Sequence, residues 1–167
     1  MILLNDKKEI NVATGQVKTG TTSCVLVSSA IGSCVVITAY NAEHRIGALA
    51  HIMLPGRAPE TSFLPKTRYA ADAIESMLQL LRQSGADLSA LDICLIGGGN
   101  VLQRKNDQIC KANLDSVHRI LNEKQLPIRA KAIGGVERRT VRFDLKNGKV
   151  FYTQAESDPK LLWDPGV

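Results

Sequence analysis

Two apolar, β-branched runs joined by one short polar segment predict a β-hairpin in the first third of the chain. The runs cover residues 34–40 and 46–53, and residues 41–45 between them are polar and turn-like. Apolar side chains fall on both faces of the two strands, which is typical of a sheet that is covered on both sides. The chain is therefore expected to fold as layers around a buried sheet that contains this hairpin.

A cysteine and a histidine lie at the open end of this hairpin. If the turn is centred between Ala42 and Glu43, counting back along the two strands places Cys34 directly opposite His51. Opposed residues of an antiparallel pair have Cβ atoms about 5 Å apart on one face, so the thiol and the imidazole would form a nucleophile with its general base. Two unrelated structural residues are the competing interpretation, because a register slip of one residue would send the side chains to opposite faces.

The composition predicts one soluble, cytoplasmic domain. The 167 residues, 44% of them hydrophobic, suffice for a single domain over 1–167, with a core at about 15–154 and a poorly patterned tail at 155–167. No apolar run approaches the ~20 residues of a membrane span, and the N-terminus lacks the pattern of a signal peptide. The net charge of +5 is scattered and aromatic residues make up only 4%, so nucleic acid is not expected as a partner.

The four cysteines do not form a metal site by their spacing. No Cys-x-x-Cys pair or zinc-type His/Cys cluster is present, so neither a metal nor a cofactor is expected, and cytoplasmic thiols should be reduced. Cys24 and Cys94 lie in apolar runs and are interpreted as packing residues. Cys110 lies in a polar stretch and is interpreted as an exposed bystander.

Hydrophobic periodicity predicts further strands and two helices around the hairpin. The predicted strands cover residues 9–18, 21–28, 91–96, 128–133, 138–145 and 149–154, and the predicted helices cover 66–84 and 113–123. The glycine triplet at 97–99, directly after a strand, is interpreted as a place where the chain passes another segment closely. The alternative is an anion site formed by main-chain N–H groups.

Several short motifs, in one order and spacing, resemble the CheD family of chemoreceptor glutamine deamidases over roughly residues 15–154. The motifs are IGSCVV at 31–36, AHIMLP at 50–55, RYAADAI at 68–74, GGGN at 97–100, NLDSV at 113–117, and GG at 134–135 followed by Arg139 and by Phe143-Asp144. The Gly-Ser-Cys and Ala-His-x-x-Leu-Pro motifs are specific together.

The resemblance implies a cysteine hydrolase that converts receptor glutamines to glutamates and releases ammonia. It implies an α+β fold, a mixed β-sandwich flanked by helices, similar to deamidase toxins of the necrotizing-factor type. Carried onto this chain, Cys34 is the nucleophile, His51 is the base, and Ser28 stands where the family has an orienting threonine. Main-chain N–H groups at Gly32 and Ser33 would stabilise the oxyanion.

The resemblance also implies partners and leaves two other functions open. The partners are the cytoplasmic helices of chemoreceptors and a CheC-type phosphatase. Before the second helix the family usually has Gly-x-Arg-Asn, where this chain has Cys110-Lys111-Ala112-Asn113, and the family's glycine before the late arginine is Arg138 here. These departures, at Lys111-Ala112 and at Arg138, bear on substrate docking or partner recognition. A regulatory binding module acting through the phosphatase is the main alternative, and a cysteine peptidase or acyltransferase would use the same pair of residues.

Overall fold

The computed structural model describes residues 7–166, which contain ten strands and two α-helices. In chain order these are β1 (Lys8–Asn11), β2 (Val17–Gly20), β3 (Cys24–Ile31), β4 (Val35–Asn41), β5 (Ile46–Ile52), α1 (Ala70–Gln83), β6 (Leu91–Gly97), α2 (Gln108–Glu123), β7 (Ile128–Ile133), β8 (Arg139–Asp144), β9 (Lys149–Gln154) and β10 (Lys160–Trp163).

The strands form two mixed five-stranded sheets. The outer sheet has the order β1-β3-β8-β9-β10, and the central sheet has the order β2-β5-β4-β6-β7. Only the β1–β3 and β6–β7 pairs are parallel; the remaining pairs between the described strands are antiparallel. The predicted α+β class, a mixed β-sandwich flanked by helices, is confirmed, with both helices on the same face of the central sheet.

Two apolar layers hold these elements together. Between the sheets, Leu26 and Phe143 of the outer sheet pack with Leu49 and Ile96 of the central sheet. On the other face of the central sheet, side chains of β4, β5 and β6 pack against the helices, including Ile37, Leu95, Ile74, Met77 and Leu121. Each fully buried aliphatic side chain of this size contributes about 1.5–3 kcal/mol. The hairpin is therefore covered on both faces, as its sequence predicts.

The register of the hairpin differs from the predicted one. Asn41 pairs with Ile46, and His51 faces Val36 rather than Cys34. The physical reason is the side chain of Asn41, which is fully buried: its amide donates to the Asp87 and Ala90 carbonyls, and its oxygen accepts the His44 N–H. Asn41 thereby extends the strand, and the turn moves to residues 42–45. The direct Cys34–His51 pairing was wrong by two residues.

Other predictions about the elements also need correction. The single strand predicted at 9–18 is two strands, β1 and β2, which belong to different sheets. The strand predicted at 21–28 lies at Cys24–Ile31. The tail at 155–167 contains β10, and its residues Leu162 and Trp163 pack against the layer between the sheets.

Helix α2 begins five residues earlier than predicted. It spans Gln108–Glu123, and the Asp107 side chain caps its first turn by accepting the N–H of Cys110 at 3.3 Å. Of the first four residues, Gln108 to Lys111, only Cys110 is buried, so hydrophobic periodicity alone did not reveal this turn. This start places the first turn of α2 beside the segment that carries Cys34.

Candidate active site

Cys34 lies on the bend between β3 and β4, at the end of the layer between the two sheets. The carbonyl of Gly32 accepts the N–H of Gly99 at 2.9 Å, and the carbonyl of Cys34 accepts the N–H of Gly98 at 2.8 Å. By contrast, within residues 7–166 the N–H groups of Gly32, Ser33 and Cys34 donate no hydrogen bond to another residue. The bend is therefore held by its carbonyls, while its N–H groups are free to bind a developing oxyanion.

His51 enters the same layer from β5 and meets the outer sheet at Ser28. The Ser28 Oγ lies 2.8 Å from His51 Nδ1 and 2.6 Å from the carbonyl oxygen of Val12. A carbonyl only accepts, so the single hydroxyl proton of Ser28 goes to Val12, and Ser28 in turn accepts a proton from Nδ1. These two hydrogen bonds hold the neutral imidazole in the tautomer that has its proton on Nδ1.

The other ring nitrogen of His51 is therefore a proton acceptor. Nε2 is buried and has no hydrogen-bond partner within residues 7–166. Cys34 lies in the bend two positions before Val36, which faces His51, so the alternation of β4 carried back two residues assigns the thiol to the face of the ladder that holds the imidazole. The shift of register by two residues thus preserves the shared face, although no hydrogen bond joins the two side chains.

Burial makes both members of this pair neutral near pH 7. Burial raises the pKa of the Cys34 thiol above its ordinary value of 9.0. A hydrogen bond from the main-chain N–H of Cys34 lowers this pKa by a smaller amount. Burial also lowers the pKa of His51 below 6.5, and the Val12 carbonyl raises this pKa by a smaller amount. The resting site is therefore a thiol beside a neutral imidazole, which suits proton transfer during nucleophilic attack.

A cavity of about 430 Å³ opens onto Cys34. Its walls come from the bend at 32–34, the segment after the glycine triplet, the first turn of α2 and Arg138. A pocket of this size admits a side-chain amide and part of the segment that carries it. Within residues 7–166, no group of three or more His, Cys, Asp or Glu is arranged to hold a metal ion.

Comparison with known proteins identifies the family. Residues 53–154 match the family model described as CheD chemotactic sensory transduction. A protein of Chlorobium luteolum, named probable chemoreceptor glutamine deamidase CheD, is 41% identical over 151 residues, which are 90% of this chain and 75% of the relative. The chain belongs to the CheD family.

More distant CheD relatives extend the likeness. The chemoreceptor glutamine deamidase CheD of Thermotoga maritima is 28% identical over 137 residues, or 82% of this chain and 86% of that one. A solved structure, the hypothetical protein YfiH of Bacillus licheniformis, matches 78% of this chain and 60% of its own at 13% identity, with a TM-score of 0.43. No helix within residues 7–166 of this CheD protein is long and apolar enough to cross a membrane.

The glycine triplet of this CheD chain is a place of close passage. A Cβ added to Gly97, whose φ is +114°, would lie 2.3 Å from the Cys34 carbonyl oxygen. The N–H groups of Gly98, Gly99 and Asn100 all donate to main-chain carbonyls. They are therefore engaged, which excludes the anion site considered for the triplet.

Cys110 is not the exposed bystander predicted from its polar surroundings. It is 7% exposed, its Sγ donates to the Gly99 carbonyl at 3.2 Å, and it lines the cavity that contains Cys34. Burial raises its pKa to about 11, with the neighbouring Asp107 adding to the effect. Cys110 is thus a protonated wall residue of the site. Cys24 and Cys94 are buried, as predicted.

Asn113 begins the motif NLDSV at 113–117, but its part in the site was not recognised from the sequence. It is fully buried on α2, and its Nδ2 donates to the Ser33 carbonyl at 2.9 Å and to the Met53 carbonyl at 3.1 Å. One amide thereby joins the segment before Cys34 to the segment after His51. A polar residue on the inner side of an amphipathic helix was the signal that could have revealed it.

Replacing Ser28 tests the hydrogen-bond chain in this CheD protein. Ser28→Ala should lower kcat roughly tenfold or more, because Nδ1–H and the Val12 carbonyl lose their partner and the imidazole is no longer held in one tautomer. Ser28→Thr keeps the hydroxyl and should retain the activity. The exposed neighbour offers a matched control, Ser29→Ala. Steady-state kinetics decide the question, and native activity in Ser28→Ala would remove Ser28 from the mechanism.

Proposed function

We propose that this chain is a chemoreceptor glutamine deamidase in which Cys34 is the nucleophile and His51 is the general base. The observation that carries the proposal is the unprotonated Nε2 of His51, fixed by Ser28 and the Val12 carbonyl on the same face as Cys34. The relatives of this family are named for that activity. A thiol and a general base at an open cavity are the equipment that acyl chemistry requires.

The first half of the reaction forms a thioester. His51 Nε2 takes the thiol proton while Cys34 Sγ attacks the carbon of the glutamine amide, so that a C–S bond forms and the carbonyl π pair moves to oxygen. The free N–H groups of the bend at residues 32–34, those of Gly32 and Ser33 among them, donate to this oxyanion. The imidazolium then gives its proton to the amide nitrogen, the C–N bond breaks and ammonia leaves.

The second half releases glutamate. A water molecule loses a proton to Nε2 and attacks the thioester carbon, and collapse of the tetrahedral intermediate breaks the C–S bond. The sulfur regains its proton from His51, and the site returns to its neutral resting state. Side chains, main-chain N–H groups and water supply every group that these steps need.

Incubation with cytoplasmic fragments of chemoreceptors tests the proposal. Peptide mass spectrometry should show particular glutamines gaining the mass difference between NH₂ and OH, with ammonia released in equal amount and the receptor backbone intact. Backbone cleavage would instead indicate a cysteine peptidase. No change in any fragment, with binding retained, would indicate the regulatory module.

The proposed substrate also assigns partners and a location. The cytoplasmic helices of receptors are reached from the cytoplasm, so the protein acts there. We include a CheC-type phosphatase as a further partner, on the family resemblance alone. The open cavity over Cys34 favours the enzyme over a binding module, because a surface that only docks a partner needs no pocket at a thiol.

A further inference from the structure

We propose that Arg104 and Arg138, at the mouth of the Cys34 cavity, select glutamines that have an acidic side chain about one helical turn away. This inference rests on the proposed function and concerns which receptor glutamines are modified.

The two arginines approach one cavity from different elements. Arg104 lies in the loop between β6 and α2, and Arg138 directly precedes β8. Both line the cavity that opens onto Cys34. Both are exposed, so both can be reached by a substrate that places its glutamine at Cys34.

Neither guanidinium is held in a salt bridge. Within residues 7–166, Arg104 and Arg138 form no ion pair. Asp107 also lines the cavity, where it caps α2 through the N–H of Cys110 and its negative charge interacts with the positive charge of Arg104. With two arginines and one carboxylate, the mouth of the cavity carries a net positive charge.

A third arginine strengthens the positive potential from behind. Arg139 is only 5% exposed, and its Nε and Nη1 have no hydrogen-bond partner within residues 7–166. Its Nη1 lies 3.4 Å from the place where a Cβ on Gly99 would be, and Gly99 lines the cavity. A buried charge is screened less by salt than an exposed one, so its field reaches the cavity.

The same mouth is partly apolar. Leu102 is 68% exposed and Ile109 is 48% exposed, and both line the cavity. Cationic and apolar side chains around one opening complement an amphipathic segment whose polar face is acidic. On a helix, residues three or four positions apart share a face, so a carboxylate one turn from the glutamine can reach an arginine while the glutamine reaches Cys34.

The test changes the charge beside one modified glutamine. A receptor fragment that the native protein deamidates is prepared with Glu, Ala or Lys one turn from that glutamine. The native protein should prefer Glu over Lys by about threefold to tenfold in kcat/KM at low salt, the effect expected of exposed ion pairs. The preference should weaken as ionic strength rises.

The reciprocal test changes the enzyme. Arg138→Glu and Arg104→Glu should each reduce the preference, and the double variant should reverse it toward Lys. Lys146→Glu is the control: it makes the same change of charge at an exposed position beyond the far end of β8. Unchanged thermal unfolding and unchanged alkylation of Cys34 would show that the variants keep their fold and their site.

The outcomes separate this inference from the proposed function. Equal efficiency on the Glu and Lys fragments, or a preference that survives in the double variant, would overturn the inference while leaving the deamidase intact. A loss of preference in Lys146→Glu as large as in Arg138→Glu would reduce the effect to net charge and would also overturn it. If the native protein deamidates no receptor fragment, the proposed function fails and the inference with it.

Discussion

Cys34→Ala should reduce deamidation of receptor fragments to the uncatalysed level. Removing the nucleophile of an enzyme that works through a covalent intermediate costs on the order of 10⁶-fold in kcat, because no other group can form the acyl bond. Cys110 in the same cavity cannot substitute, since burial keeps its pKa near 11 and its thiol is bonded to the Gly99 carbonyl. Mass spectrometry of the receptor fragment measures the loss.

Two controls make the result on Cys34 specific. Cys24→Ala removes a thiol from the opposite end of β3 and should retain the native rate. Binding of the Cys34→Ala variant to the receptor fragment should persist, because a half-buried sulfur contributes little contact area. Residual deamidation well above the uncatalysed rate in Cys34→Ala would show that another group is the nucleophile.

His51→Ala should lower kcat by about 10²- to 10⁴-fold, the usual contribution of a general base. Its pH dependence should also change. In the native protein kcat/KM requires neutral His51, so it falls as the pH drops through the pKa of this residue, which burial places below 6.5. At high pH kcat/KM should fall as the Cys34 thiol loses its proton. Burial raises the pKa of this thiol above 9.0. A broad plateau should therefore lie between these limits.

The His51→Ala variant should lose the acidic limb and gain activity toward high pH, where the thiolate forms without a base. His44→Ala is the matched control, because His44 lies in the turn at the far end of the same hairpin and contacts Asn41. It should leave both the rate and the pH profile unchanged. An acidic limb that persists in His51→Ala would assign that titration to another group.

The sequence predicted the hairpin of β4 and β5 but not its register. Alternation of apolar residues located both strands, whereas the polar Asn41 was assigned to the turn. Its hydrogen bonds to Asp87 and Ala90 come from a segment more than forty residues away, and no local pattern could reveal them. The prediction that Cys34 and His51 share a face is unaffected by this change of register, because an error of two residues equals the period of a strand.

Elements that depend on distant partners were the least predictable. Strands β1 and β2 lie close together in sequence but pair with β3 and β5 in different sheets. Strand β10 has four residues and exists through its pairing with β9. The start of α2 is a different case, since Asp107 is a good capping residue and its local signal was available in the sequence.

The chain of hydrogen bonds from His51 ends on a main-chain atom, the carbonyl of Val12. Every residue type has this main-chain carbonyl, so aligning relatives cannot reveal the contribution as an invariant residue. Mutations should reveal it in another way. The site should tolerate apolar replacements of Val12 that preserve packing, yet it should be sensitive to adding or deleting a residue in the strand before it. Such a change would shift β1 against β3 and turn another atom toward Ser28.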